Sequence, residues 1–223
     1  MSNRSCSILL LFLALTVNAK TLTAQSSAVQ VEVYDYADLK PGSLHSVVAL
    51  TQQILAGAGL SVQVKLCRGS LAVSCDGQSG LSRNLEVRVV AGGSKTKDSV
   101  LRSPLGQSMA DHQGGTYASI FMERIQDAAA EANVPWDTVL AYAVAHEVGH
   151  LLLGADAHTP RGLMKGNWDR KDYEAMNQRQ FHFIEGQAHG TRCRDSHRER
   201  RKGNTPCCRR EKTGVYRRST VHL

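Results

Sequence analysis

From Val29 through Tyr34 apolar and polar residues alternate with a period of two, the pattern of a strand with one face turned inward. Pro41-Gly42-Ser43 breaks that alternation. In the segment that follows, Leu44, Val47, Val48, Ile54 and Leu55 recur at three- and four-residue spacing, as on one face of a helix, and Gly57 and Gly59 stop it. Val62 to Leu66 and Leu85 to Val90 are two further expected strands. Pro104 to Ala110 reads as a short, irregular edge strand, His112 to Gly115 as a turn, and Thr116 to Met122 as another strand. Arg124 to Ala132 has helix-forming composition. Asn133-Val134-Pro135 is a break that sets proline in the first turn of the next helix, Trp136 to Leu153, the longest in the chain. Asp169 is the expected N-cap of a helix reaching about Arg179, and a further helical piece starts near Glu185. No internal repeat is present. The order strand, helix, strand, strand, edge strand, strand, helix predicts an α+β fold: an α/β layer with a small, mixed, twisted sheet.

A chain of 223 residues with 42% apolar content supports one domain with a genuine core. Its first residues read as an export signal, with Arg4 ahead of the apolar run Ile8 to Val17 and the small residue Ala19 offering a cut, there or at Ala24. That run is too short to span a bilayer and no later segment is longer, so a secreted or periplasmic protein without a membrane anchor is expected. Three regions follow: residues 1–24 as signal, 25–189 as the domain carrying the chemistry, and 190–223 as a tail. In an oxidising compartment Cys67 and Cys75, bracketing a short loop rich in Gly and Ser, are the favoured disulfide. Cys6 leaves with the signal, and Cys193, Cys207 and Cys208 make the mature count odd.

The net charge of +7 is uneven. Residues 190–223 hold eleven Lys or Arg against three acids, a net of +8, which leaves the rest at −1. Such a tail can touch polyanions, but with almost no apolar residues it reads as disordered, and no specific nucleic-acid partner is expected. A monomer is expected.

Within the long helix, His146-Glu147-Val148-Gly149-His150 fits HExxH. Residues four apart stack on one helical face, so His146 and His150 can approach one tetrahedral zinc ion. Glu147 can then reach a water on the open coordination position, take its proton as general base and pass it to a leaving amine. The chemistry expected of that arrangement is hydrolysis of a peptide or protein substrate. The surrounding helix is apolar, which favours a built site over a surface stripe.

A third ligand is needed. Gly154 is placed to end the helix with a left-handed residue, after which the chain turns through Ala155-Asp156-Ala157 and can bring His158 back to the metal. Here the sequence resembles the metzincin zinc peptidases, whose motif HExxHxxGxxH or HExxHxxGxxD precedes a methionine-containing turn beneath the zinc. On that resemblance His146, Glu147 and His150 match, and Met164 in Gly162-Leu163-Met164 looks like the Met-turn. The glycine falls one residue late, since position 153 is Leu. In strict register the third ligand would be Asp156; His158 is preferred, because imidazole is the common ligand and the displaced glycine suits a longer turn. Asp156 then becomes a partner that orients a ligand. The resemblance also implies that residues 105–110 form the edge strand on which such enzymes bind extended peptide.

Two other readings compete. In a gluzincin-type peptidase the third ligand would be a Glu on a later helix, best Glu174. In a non-catalytic zinc-binding module Glu147 would have no task. His112, His182 and Trp168 are candidates to line a cleft, each read as more ordinarily structural or exposed.

Overall fold

A computed structural model describes residues 29–67, 75, 83–92, 104–112, 114–187 and the backbone of 217–221. The expected signal at 1–24, most of the tail, and Cys6, Cys193, Cys207 and Cys208 lie outside the described residues.

The alternating segment forms β1, Val29–Tyr36, and the amphipathic segment forms α1, Pro41–Gly57. β2 is Val62–Cys67, β3 Arg83–Val90, β4 Gly106–Asp111 and β5 Gly114–Phe121. Three helices follow: α2 at Met122–Ala132, α3 at Trp136–Leu153 and α4 at Arg170–Asn177. The strands order as β2-β1-β3-β5-β4, with β1, β2, β3 and β5 parallel and β4 antiparallel to β5. The expected mixed sheet of an α+β layer is therefore what the chain builds. Among the described residues no helix is long and apolar enough to cross a membrane.

Several expected boundaries shift for identifiable reasons. β4 and β5 form a hairpin whose register slips between Met109 and Ala110, and β5 starts at Gly114, ahead of the expected Thr116, because the glycines of the expected turn pair with β4. Met122 leaves the strand and starts α2, where its side chain is buried. Asp169 does cap α4, through a reciprocal capping box with Asp172, but the helix ends at Asn177; near Glu185 the described residues 185–187 are helical. Cys67 and Cys75 are bonded, with Cα atoms 5.9 Å apart.

Within the tail, Arg217–Val221 forms a sixth strand, β6, antiparallel to β4. A strand added to an edge is held through its main chain and needs no apolar face of its own, so composition does not reveal it.

The helices α1 and α3 lie side by side against the sheet, and Thr51 in α1 donates its hydroxyl to Ala141 O in α3 at 3.3 Å. Leu44 and Leu55 of α1, Leu85 and Val87 of β3, and Leu140 and Val144 of α3 are all fully buried. The result is that every side chain of α3 from Thr138 to Leu152 is buried. A helix enclosed on all sides can hold its own side chains in fixed positions, and this one carries the motif.

Because β3 lies between β1 and β5, Leu85→Ala leaves a cavity that neighbours cannot fill. We expect a loss of about 2–5 kcal/mol, measured as a lowered urea midpoint at unchanged m-value.

Candidate metal centre

His146 and His150 stand one turn apart on α3, and both are buried. Each ring is oriented by a main-chain carbonyl from the segment after the helix. His146 Nδ1 donates to Leu163 O at 2.8 Å and His150 Nδ1 donates to Gly154 O at 3.2 Å. A carbonyl only accepts, so both rings carry their proton on Nδ1 and present a bare Nε2. These two nitrogens are 3.1 Å apart, and His158 Nε2 lies 3.0 Å from that of His150. The three histidines form a site that can bind a metal ion.

Two lone pairs facing each other at this distance repel unless a cation lies between them. A proton is a poor candidate. Burial, then the neighbouring His150, push the His146 imidazole well below its usual range, with only the Leu163 carbonyl opposing before His158 adds to the fall. Burial first and His158 second bring His150 to about 3. A divalent metal preferring nitrogen ligands suits the cluster, since nitrogens about 2.1 Å from a tetrahedral zinc stand roughly 3.4 Å apart. His158 is the exposed member, so the cluster opens to solvent on its side.

Glu147 is fully buried and neither carboxylate oxygen has a hydrogen-bond partner. Burial pushes its carboxyl well above the ordinary range, which the nearby Ser108 hydroxyl opposes without reaching hydrogen-bond geometry. Buried polar atoms are almost always partnered, so a carboxylate without a partner beside a metal-binding cluster stands out from the rest of the interior.

The loop after α3 gives the site its floor. Gly154 has a positive φ of 102° as expected, but its ψ of 172° is extended rather than left-handed helical. The chain thus swings away from the helix axis, and Ala155 N–H donates to Asp111 O at 2.9 Å. Met164 is fully buried and its sulfur lies against Gly149, where any Cβ would overlap it. A side chain at that position between the two imidazoles would require Met164 to move, a constraint that the spacing of HExxH alone does not reveal.

Trp168 is a further site residue, read from sequence only as a candidate for the cleft and more ordinarily structural. It is buried, meets His146 edge-to-face with centroids 5.5 Å apart, and donates Nε1 to the same Leu163 carbonyl at 3.3 Å. One carbonyl thereby positions both the imidazole and the indole that braces it.

The alternative ligands are placed elsewhere. Asp156 pairs with His112 Nδ1 at 2.7 Å, half-exposed, and so does not orient a cluster histidine. Glu174 faces Arg170 on the exposed side of α4, at 3.3 Å. Among the described residues neither joins the group formed by His146, His150 and His158.

Two predictions follow from this geometry. Gly149→Ala forces Met164 out of place and should cost about 1–3 kcal/mol of stability, read by urea unfolding, and weaken zinc retention against a chelator. The second concerns the metal-free chain. An unfolded imidazole takes up a proton near pH 6.5, whereas His146 and His150 resist it in the fold, so stability is lost as pH falls below about 6.5, for His150 down to about 3. Glu147 acts in the opposite sense, because its raised pKa lets the folded carboxyl bind a proton before the unfolded one does. With the two contributions partly offset, Glu147→Gln should steepen the loss of stability as pH falls below about 6.5, measured by urea unfolding in chelator. Equal slopes would contradict a raised pKa for the buried Glu147 carboxyl in the metal-free chain.

No family model and no curated protein matches the chain by sequence. Among solved structures it is similar to the archaemetzincin of Methanopyrus kandleri, with a TM-score of 0.52 at 15% identity, over 78% of this chain and 98% of that one. At that identity the likeness establishes the fold, the expected α/β layer with a mixed twisted sheet.

Proposed function

We propose that this chain is an exported, zinc-dependent metallopeptidase with His146, His150 and His158 as ligands and Glu147 as general base. One observation carries the reading: a fully buried carboxylate without a partner, next in sequence to the first of three histidines whose Nε2 atoms converge. A structural zinc site has no use for such a carboxylate, which weighs against a non-catalytic module. The pairing of Glu174 with Arg170 weighs against the gluzincin arrangement.

Zinc held by the three imidazoles would supply a positive centre that acidifies water and polarises a peptide carbonyl. The chain's own residues do the rest. Leu163 O and Gly154 O hold the rings of His146 and His150 so that each presents Nε2. Burial keeps Glu147 a stronger proton acceptor than a solvated carboxylate, suited to taking a proton from the attacking water and delivering it to the leaving amine. An extended peptide would lie along β4, which begins against this carboxylate: a Cβ on Gly106 would come within 2.8 Å of Glu147 Oε1. The Cys67–Cys75 disulfide supports export to an oxidising compartment, in keeping with the signal-like start.

The test begins with zinc content. We expect one equivalent in the wild type and in Glu147→Gln, and none in His146→Ala or His150→Ala. His158→Ala should lose zinc to a chelator far faster. Glu147→Gln should hydrolyse a quenched peptide library about 10²–10⁴-fold more slowly while keeping its metal. Zinc retained unchanged in His158→Ala would remove it as a ligand, and full activity in Glu147→Gln would remove the general base.

A further inference from the structure

The edge of β4 that an extended peptide would use is already taken. β6 pairs along nearly its whole length, antiparallel, with Gly106 opposite Val221, Gln107 opposite Thr220, Ser108 opposite Ser219, Met109 opposite Arg218 and Ala110 opposite Arg217. β6 is thus the outermost strand of the sheet, in the order β2-β1-β3-β5-β4-β6. The register ties it to the site. Gly106 lies against Glu147, since a Cβ there would come within 2.8 Å of Glu147 Oε1, and Val221 is its partner across the ladder. The strand also packs near α3, the helix bearing the motif.

We propose that residues 217–221 are a built-in occupant of the peptide-binding edge, and that an external extended peptide must displace them to lie beside Glu147. The inference rests on the peptidase reading for its consequence, while the occupancy itself rests on the strand pairing. The sequence of β6, Arg-Arg-Ser-Thr-Val, is polar, so the pairing draws on main-chain hydrogen bonds that any extended peptide could replace. That makes the occupant exchangeable, in contrast to a core strand held by buried side chains. Twenty-nine residues separate Gln187 from Arg217, and β6 belongs to the same chain as the edge it fills. Its competition with a substrate is therefore intramolecular and does not fall with dilution, so it suppresses weak substrates and yields to well-matched ones. It also removes an exposed edge that would otherwise invite pairing between copies.

The experiment uses the full zinc-loaded chain and compares it with Ser219→Pro/Thr220→Pro. Adjacent residues in a strand point their N–H groups to opposite sides, so the pair removes a ladder donor whichever residue supplies it. A chain ending at residue 213 provides the second variant. Amide hydrogen exchange across residues 106–111 should be faster in both variants. Affinity for a labelled extended peptide should rise about tenfold or more, as a fall in KM where the peptide is cleaved. A synthetic peptide of residues 214–223, added to the truncated chain, should restore protection and compete with the labelled peptide. Unchanged exchange and unchanged peptide affinity in both variants would overturn the proposal. Tail-dependent protection and binding in a chain that cleaves nothing would uphold the occupancy and instead sink the peptidase reading.

Discussion

The structure turns on the burial of a polar motif. α3 is enclosed along its whole middle, from Thr138 to Leu152, yet that stretch includes two imidazoles and a carboxylate. Burying such groups costs several kcal/mol unless they are partnered. For the histidines the chain provides main-chain carbonyls, Leu163 O and Gly154 O, each of which fixes one ring proton and so fixes where the other nitrogen points. For Glu147 it provides nothing. This asymmetry separates the roles: the imidazoles are locked in orientation before any ion arrives, while the carboxylate remains available to whatever enters.

Both carbonyls come from residues beyond the helix, so the centre depends on how the chain folds back. Met164 O accepts from Thr159 N–H and Gly162 O from Lys165 N–H, each at 2.9 Å, which closes the loop bearing the methionine on itself. Gln187 ties in Thr159 Oγ1 at 2.7 Å. Lys165 reaches both Asp169 and Asp172 at 2.6 Å, fastening the loop to the first turn of α4. Beneath it, Trp168 packs edge-to-face on Phe181 and on Tyr173. The loop is thus braced from three directions, and the carbonyl of Leu163 inherits that rigidity. The longer turn between His150 and His158 has its own use, since it carries Asp156 outward to His112 and leaves imidazole facing the cluster.

How much of this the sequence reveals depends on which force sets each feature. Strands and helices placed by burial were legible, because apolar periodicity in β1, α1 and β3 records the face turned to the core. The spacing of His146 and His150 was legible because helical geometry puts them on one face whatever surrounds them. His158 emerged from the position of the turn, and Met164 from a family resemblance. Gly149 was not legible as a constraint, because its meaning lies in a contact with a residue fifteen positions away in a different element. Trp168 gave no distinguishing signal, since an indole bracing a histidine and one filling a core have the same pattern in sequence. β6 escaped for the opposite reason: its pairing is carried by backbone, and a polar, basic segment has no periodicity to read.

A fold shared at 15% identity says little about chemistry, because one fold hosts many functions. What bears on chemistry is therefore how this chain uses its own β4. The backbone at Gly106 lies so close to Glu147 that the strand itself is part of what excludes water from the carboxylate. Raising that carboxyl's pKa and offering an edge for an extended chain are then two consequences of one placement. A chain that pairs with β4 lies beside Glu147 by construction, and β6 pairs there already. A buried carboxylate beside an open edge would be exposed to every unfolded segment it met. Filling that edge from the same chain leaves the carboxylate desolvated, and on the proposed reading makes access to it a competition between strands.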